Sequence, residues 1–302
     1  MFRNLESLIL PILIYYTAGF SIPFLKAEMD EFKDQEIPFL IAQLIEHPDR
    51  AGILLRELAS KKTEARKYSN LIAMYLSSPN AKVRRTMMNA MGSIQLPVEQ
   101  AAPWAIDLLR RDSDEDVRVT AASVLEGLVC KEWDRKQPGT RVESADGLPI
   151  PFPVPRDDRM KLSIEMRECL DALTFVSAQD KSFKVRARAA FAAAAINPGD
   201  KRILPALVEA ATNKKAPHEK YCAITILRSL DPSNQTVIQF LYDELSSTES
   251  IRRVIAVQDL NWLQVAGASD RLEKLLKDPD ERVRAVAKGA IDALKAAKDK
   301  QE

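Results

Sequence analysis

The 302-residue chain is long enough to bury a large core, either as two ordinary domains or as one elongated repeat array. Its 44 Lys and Arg residues balance 43 Asp and Glu residues, which argues against binding driven by long-range attraction to phosphate. With only 9 Gly and 6% aromatic residues, and with many Ala, Leu, Lys, Arg and Glu residues, the composition predicts an all-helical protein.

Residues 1–27 form the first distinct segment. No residue from Ser7 to Leu25 is charged, and Arg3 precedes this apolar run. The pattern is typical of a signal peptide cleaved after Ala27, and its length also suits an uncleaved membrane anchor. A third hypothesis is a buried or capping helix of a cytoplasmic protein. We expect an exported protein, periplasmic or secreted, or a membrane-anchored one, with a cytoplasmic location as the alternative.

The next segment contains a repeat with a period near 33 residues. Its anchors are a residue pair with a basic second member: Asp49-Arg50, Val83-Arg84, Val117-Arg118, Val185-Arg186, Glu219-Lys220, Ile251-Arg252 and Val283-Arg284. Four residues after the first member of each pair the residue is apolar in every unit: Ile53, Met87, Ala121, Ala189, Ala223, Ile255 and Ala287. Such spacing marks one face of an α-helix, so we assign Ile255, and Trp262 seven residues later, to the core.

Each anchor helix follows another helical segment and a short polar turn. The turns share Asp, Ser or Asn residues that can cap the next helix: His47-Pro48-Asp49, Ser78-Pro79-Asn80, Asp112-Ser113-Asp114 and Asp278-Pro279-Asp280. Each unit is therefore predicted to be a pair of helices.

Two sequence runs carry a family resemblance. DSDEDVRVTAASVLEGL (112–128) and DPDERVRAVAKGAIDAL (278–294) resemble the second half of HEAT repeats, particularly the short type named for phycobilisome lyases. The resemblance implies an all-α, right-handed, armadillo-like α-solenoid of about seven helical hairpins. Repeats 1–3 would occupy residues 34–132 and repeats 4–7 residues 158–296, with a charged tail over 297–302. Departures in the first, fifth and sixth units leave exact boundaries open.

The recurrent basic residue has two interpretations. The resemblance implies a structural ladder between successive hairpins, formed by Arg50, Arg84, Arg118, Arg186, Lys220, Arg252 and Arg284. The alternative is a line of cations that binds phosphate or an acidic peptide. Nearby acids such as Asp112 and Asp278 would neutralise much of that charge, which favours the ladder.

In a HEAT-like stack the second helices line the concave side, and this face has an apolar middle. We predict that it binds a protein or peptide, because exposed apolar grooves mark contact sites. The candidate binding residues are Arg85, Asn89, Val119, Ser123, Phe191, Arg253, Val257 and Leu260, together with Phe152. The alternative is that another part of the chain covers the groove.

A proline-rich insertion over residues 133–157 could be that part. It holds Pro138, Pro149, Pro151, Pro153 and Pro155, and alternating proline excludes a helical hairpin and favours polyproline II. We keep three hypotheses: a loop packed on the groove, a partner-binding loop, or a plain mobile insertion.

The chain offers little catalytic chemistry. Cys130, Cys169 and Cys222 have no metal-ligand spacing and are expected to be buried free thiols, although a disulfide stays open. His47 and His218 are the only histidines, which argues against a His-based triad or zinc site. A single His-Glu pair cannot build the di-iron centre of HEAT-repeat deoxyhypusine hydroxylases. We therefore predict no catalytic residue, cofactor or metal site.

The resulting prediction is a non-enzymatic scaffold or adaptor. It would bind a protein or peptide, with no nucleic acid and with membrane contact only through an N-terminal anchor. The alternatives are a lyase or lyase subunit of the phycobilin lyase type and, with less support, a HEAT-like DNA glycosylase. Trp104, Trp133 and Trp262 invite the glycosylase comparison, and the balanced charge opposes it.

Overall fold

The computed structural model of the protein describes residues 35–136 and 162–298, and in this part of the chain all regular structure is helical. Hairpin 1 joins α1 (Ile37–Glu46) to α2 (Ala51–Ser60), and the short α3 (Lys62–Ala65) leads to the next unit. Hairpin 2 consists of α4 (Ser69–Met74) and α5 (Ala81–Ser93), hairpin 3 of α6 (Val98–Arg111) and α7 (Glu115–Lys136), and hairpin 4 of α8 (Ile164–Gln179) and α9 (Phe183–Ile196). Hairpin 5 consists of α10 (Leu204–Thr212) and α11 (Pro217–Leu230), hairpin 6 of α12 (Gln235–Glu244) and α13 (Ser250–Trp262), and hairpin 7 of α14 (Ser269–Lys274) and α15 (Glu281–Lys298). The described chain is thus an α-solenoid.

Several helices begin at a side-chain cap, as the polar turns predict. Asn80 accepts a hydrogen bond from the amide of Lys82 at 2.9 Å, and Asp280 accepts one from the amide of Arg282 at 2.8 Å. Asp114 caps α7 by accepting from the amide of Val117 at 3.1 Å. Because the first amides of a helix have no partner within it, these caps stabilise the starts of α5, α7 and α15, whereas α2, α11 and α13 begin without a side-chain cap.

Small residues set the closest helix contacts in the middle of the stack. α9 packs against both α7 and α11, and its alanines at 187, 189, 190, 192, 193 and 194 are almost fully buried. α5 also approaches α7 closely, because a Cβ added at Gly92 would lie 3.3 Å from a methyl carbon of Val124. The hairpins therefore share one continuous apolar core, as expected when each repeat buries its neighbour.

None of the three cysteines forms a disulfide in the structure. Cys169 is fully buried, and burial raises the pKa of its thiol to about 12. Cys222 is only half-buried, although burial raises the pKa of its thiol as well.

The difference in accessibility predicts an order of thiol labelling. In the folded protein at pH 8, we expect a water-soluble maleimide to modify Cys222 well before Cys169, because the thiolate is the nucleophile and Cys169 is both neutral and enclosed. Peptide mass spectrometry at timed intervals measures both rates, and a denatured sample provides the control in which the two rates converge. Equal rates in the folded protein would contradict the burial of Cys169.

Several sequence predictions fall outside the described residues. These are the signal or anchor segment 1–27, most of the proline-rich insertion with Phe152, and the end of the charged tail. α7 continues to Lys136, so the first four residues assigned to the insertion are helical. No helix within residues 35–136 and 162–298 has the length and apolar character needed to span a membrane.

Candidate functional site

The arginine ladder has a repeated geometry. The guanidinium of Arg118 donates from Nε and Nη2 to the Asp180 carboxylate at 2.7 and 3.0 Å. Its Nη1 donates back to the carbonyl oxygen of Asp112, six residues earlier, at 2.9 Å. Arg84 does the same, with the carboxylate of Asp112 at 2.7 Å and the carbonyl of Ser78 at 2.8 Å. Each arginine therefore joins its own turn to the turn of the next hairpin.

The sixth rung is formed by Arg253, so the assignment of Arg252 to the ladder is wrong. Arg253 donates to both carboxylate oxygens of Asp278 at 2.8 Å and to the carbonyl of Ser247 at 2.7 Å. Arg252 instead forms an ion pair with Glu244 at 3.2 Å. The repeat in this unit therefore lies one residue later than the sequence spacing suggested.

The remaining predicted rungs differ from this geometry. Arg186 donates to the carbonyl of Asp180 and pairs with Glu209 on α10. Lys220 lies over the ring of Phe240, 4.9 Å from its centroid. Arg284 donates to the carbonyls of Asp278 and Pro279, and Arg50 ends the 3-10 turn Pro48–Arg50. The regular arginine–aspartate geometry is thus seen in hairpins 2, 3 and 6.

Two of the ladder carboxylates, those of Asp278 and Asp112, have lowered pKa values. The hydrogen bond from Arg253 is the main cause that lowers the pKa of Asp278 below its ordinary value. Burial, the strongest single influence on Asp112, raises its pKa, but hydrogen bonds from Arg84 and from the amide of Asp114 outweigh it and lower the pKa overall. These shifts fit a structural role, because Arg253 is buried and Arg84 is half-buried within the stack.

The predicted binding residues on α5, α7 and α9 lie beside one another but mostly bond within the chain. Arg85 is 3.5 Å from the carboxylate of Asp116. Ser123 accepts a hydrogen bond from Arg188 at 2.7 Å. Asn89, Val119 and Phe191 are half-buried, and the last two also pack against the core. This half of the second-helix face is therefore largely engaged in contacts between hairpins.

On α13 the predicted binding residues are wrong. Arg253 is the buried ladder rung, and Val257 and Leu260 are fully buried in the core. Ile255 and Trp262, which the spacing assigned to the core, are exposed by 48% and 63%. The physical reason is the one-residue shift, because a step of one residue rotates a helical position by about 100°, which is enough to move it from the buried face to the exposed face or the reverse.

The exposed face of α13 is a mostly apolar row, which we call the α13 stripe: Ile251, Ile255, Gln258 and Trp262. Tyr221, also exposed, projects from the neighbouring helix α11 beneath Arg252, whose guanidinium carbon is 5.0 Å from the tyrosine ring centroid. In the regular rungs the basic residue follows the carbonyl acceptor in its turn by six residues, and Ser247 to Arg253 has this separation.

The charged groups beside the α13 stripe pair with one another. Arg228 on α11 forms an ion pair with Asp259 and lies over Trp262, 5.8 Å from the ring centroid. Burial raises the pKa of the Asp259 carboxyl, and the attraction of Arg228 offsets this only in part. Burial also raises the pKa of Glu244, the partner of Arg252. The stripe is thus an apolar surface with internally compensated charge.

The described residues show no cluster of three or more His, Cys, Asp or Glu side chains that could hold a metal ion. His47 and His218 lie far apart in the stack, in hairpins 1 and 5. Trp104 is half-buried against the core.

Comparisons with known proteins agree with this architecture. Residues 37–126, which span hairpins 1, 2 and most of 3, match the family model of HEAT repeats. None of the curated proteins matches the chain. Among solved structures, the X-ray structure of YibA from Escherichia coli is similar, with 15% identity, 92% of this chain and 98% of that chain covered, and a TM-score of 0.60.

Two further solved structures have lower scores. The archaeal HEAT-like repeats protein from Thermococcus onnurineus NA1 is 13% identical, with 87% of this chain and 98% of that chain covered and a TM-score of 0.43. Human deoxyhypusine hydroxylase is 16% identical, with 97% of this chain and 92% of that chain covered and a TM-score of 0.31. Neither score supports an inference beyond general helical similarity. The comparisons therefore show HEAT repeats over residues 37–126 and an α-solenoid fold for the described chain.

Proposed function

We propose that this protein is a non-enzymatic scaffold that binds a protein or peptide through the exposed face of its second helices. The observation that carries the proposal is the α13 stripe. Three large apolar side chains, Ile251, Ile255 and Trp262, are exposed along one row of a single helix. Isolated exposed apolar residues are ordinary, but a contiguous row marks a contact site.

The kind of residue supports the same proposal. Tryptophan and tyrosine are over-represented among the residues that dominate binding energy at protein interfaces. Trp262 and Tyr221 are both exposed here, and each has an arginine guanidinium close to its ring. An aromatic ring beside a paired arginine offers apolar area and a polar rim at one place, which is the usual composition of an interface.

We expect Trp262→Ala and Ile255→Glu to weaken binding of a co-purifying protein. Truncating a central aromatic residue typically costs about 2 kcal/mol or more, equivalent to roughly thirtyfold in affinity. The measurement is quantitative affinity purification of the tagged full-length chain, followed by titration of the captured protein. Both side chains are exposed, so circular dichroism and thermal melting of the variants are expected to match those of the wild type.

A matched control is available on the first-helix side of the stack. Met74 on α4 is 71% exposed, and Met74→Glu places the same charge on an exposed apolar position away from the α13 stripe. The control is expected to retain the full set of partners. If Trp262→Ala and Ile255→Glu retain that set as well, the proposed binding surface is wrong.

A further inference from the structure

The α13 stripe has the spacing of a coiled-coil seam. Ile251, Ile255, Gln258 and Trp262 follow one another at intervals of four, three and four residues. This alternation keeps a row of side chains facing a partner helix over three turns, and it places each one where a side chain of that helix can interdigitate. In the described structure these four side chains are exposed.

The neighbouring helices form unequal walls beside the stripe. α11 contributes Tyr221 on one side. On the other side α15 packs against α13, and Arg284 occupies the turn position equivalent to that of Arg253. The equivalent of Gln258 on α15 is therefore Gly289, where an added Cβ would meet no atom within 4 Å. At this position α15 has no side chain, which leaves space beside Gln258 for a side chain of a helix lying along the stripe.

The charges along this surface are already compensated within the chain. Arg228 pairs with Asp259, Arg252 with Glu244, and Arg282 with Asp280 at 3.0 Å. An occupant with a charged contact face would lose solvation at that face without gaining an unpaired group of opposite sign. Charge complementarity therefore selects an uncharged, apolar contact face.

We propose that the occupant of the α13 stripe is an amphipathic α-helix of a partner protein, packed along α13 through an uncharged apolar row at the same three-and-four spacing. This inference rests on the proposed function and specifies the chemistry of the partner. Gln258 is the single polar member of the stripe. A polar residue at one seam position lowers affinity and fixes the register of the partner.

The test uses the full-length protein and three fluorescent peptides. The first is a 21-residue synthetic helix with leucine at alternating intervals of three and four on an Ala, Glu and Lys background. The second has the same composition in scrambled order. The third copies residues 147–156, GLPIPFPVPR, the proline-rich segment of this chain. Fluorescence anisotropy measures the affinity of each peptide for the wild type and its variants.

The helical peptide is expected to bind at least tenfold more tightly than the scrambled one. Ile255→Glu should weaken this binding at least tenfold, whereas Met74→Glu should leave it unchanged. Gln258→Leu should strengthen it by roughly fivefold to tenfold, because it replaces a polar side chain by an apolar one in the middle of the seam. Misfolding cannot produce a gain in affinity. The result for Gln258→Leu therefore tests the proposal even if Ile255→Glu does not fold.

Three results would overturn the helix proposal. The first is that the helical and scrambled peptides bind with equal affinity. The second is that only the proline-rich peptide binds and that its binding depends on Ile255. The third is that light scattering shows a dimer of the wild type that Ile255→Glu dissociates. The two proposals fail separately. If Ile255→Glu loses the co-purified partner but the wild type shows no preference for the helical peptide, the scaffold proposal stands and the helix proposal is rejected. If Ile255→Glu changes neither the set of co-purified partners nor the affinity for the helical peptide, both proposals are rejected.

Discussion

Asp180→Ala is expected to lower the free energy of unfolding by about 3–5 kcal/mol, because it leaves a buried guanidinium without its counter-ion. The Arg118 side chain is only 4% exposed and that of Asp180 only 9% exposed. The substitution removes two hydrogen bonds from Arg118 and a third, at 2.7 Å, from the amide of Ser182. Urea unfolding followed by circular dichroism gives the measurement.

Two companion variants make this result specific. Asp107 pairs with Arg111 on the surface, where both side chains are more than half exposed, so Asp107→Ala should cost about 0.5 kcal/mol or less. The double variant Arg118→Met, Asp180→Leu should recover much of the lost stability, because a buried ion pair can often be replaced by apolar residues. If Asp180→Ala costs no more than Asp107→Ala, the ladder contributes little to the stack.

Ala189→Asp is expected to have the largest effect, with a loss of about 4 kcal/mol or more in the free energy of unfolding. Ala189 is fully buried on α9, among the alanines that allow close packing against α7 and α11. An aspartate there is both too large for the space and charged without a partner. Because stability in a repeat stack depends on contacts between neighbours, a defect in hairpin 4 is expected to separate the unfolding of the two ends.

Scanning calorimetry of Ala189→Asp is expected to show a lower and broader transition than that of the wild type. The control is Ala285→Asp, which makes the same change at an exposed position of α15 and should cost about 0.5 kcal/mol. An unchanged melting temperature for Ala189→Asp would contradict the burial of α9 between its neighbours. If Ala189→Asp and Ala285→Asp lower the free energy of unfolding by similar amounts, the effect comes from helix propensity alone.

The sequence predicts the fold well because the repeat supplies several independent signals. The apolar position after each anchor, the polar turn before it and the period near 33 residues all indicate paired helices. The match to HEAT repeats and the solenoid structure confirm that class. The ladder partner of Arg118, Asp180, could not be derived from spacing, because 62 residues separate the two and the proline-rich insertion intervenes.

The candidate site was harder to predict, because a helical face depends on the register of a single residue. Two adjacent arginines, Arg252 and Arg253, allow two alignments of the sixth unit, and the mean spacing of the repeat favours the wrong one. Only the geometry of the turn decides, since the carbonyl of Ser247 must lie within reach of the guanidinium of Arg253. The spacing therefore places Ile255 and Trp262 in the core, although both side chains are exposed.

The change in the ladder at hairpin 5 has a mechanical consequence. Lys214 occupies the position where a turn aspartate would stand, six residues before Lys220, and the neighbouring contacts involve the half-exposed Glu209 and the ring of Phe240. Exposed ion pairs resist distortion less than buried bidentate ones. Bending of the solenoid should therefore concentrate at α10 and α11. If the α13 stripe receives a helix as proposed, a flexible joint beside it would let this surface adjust to helices of different thickness, while the hairpins joined by regular rungs keep their shape.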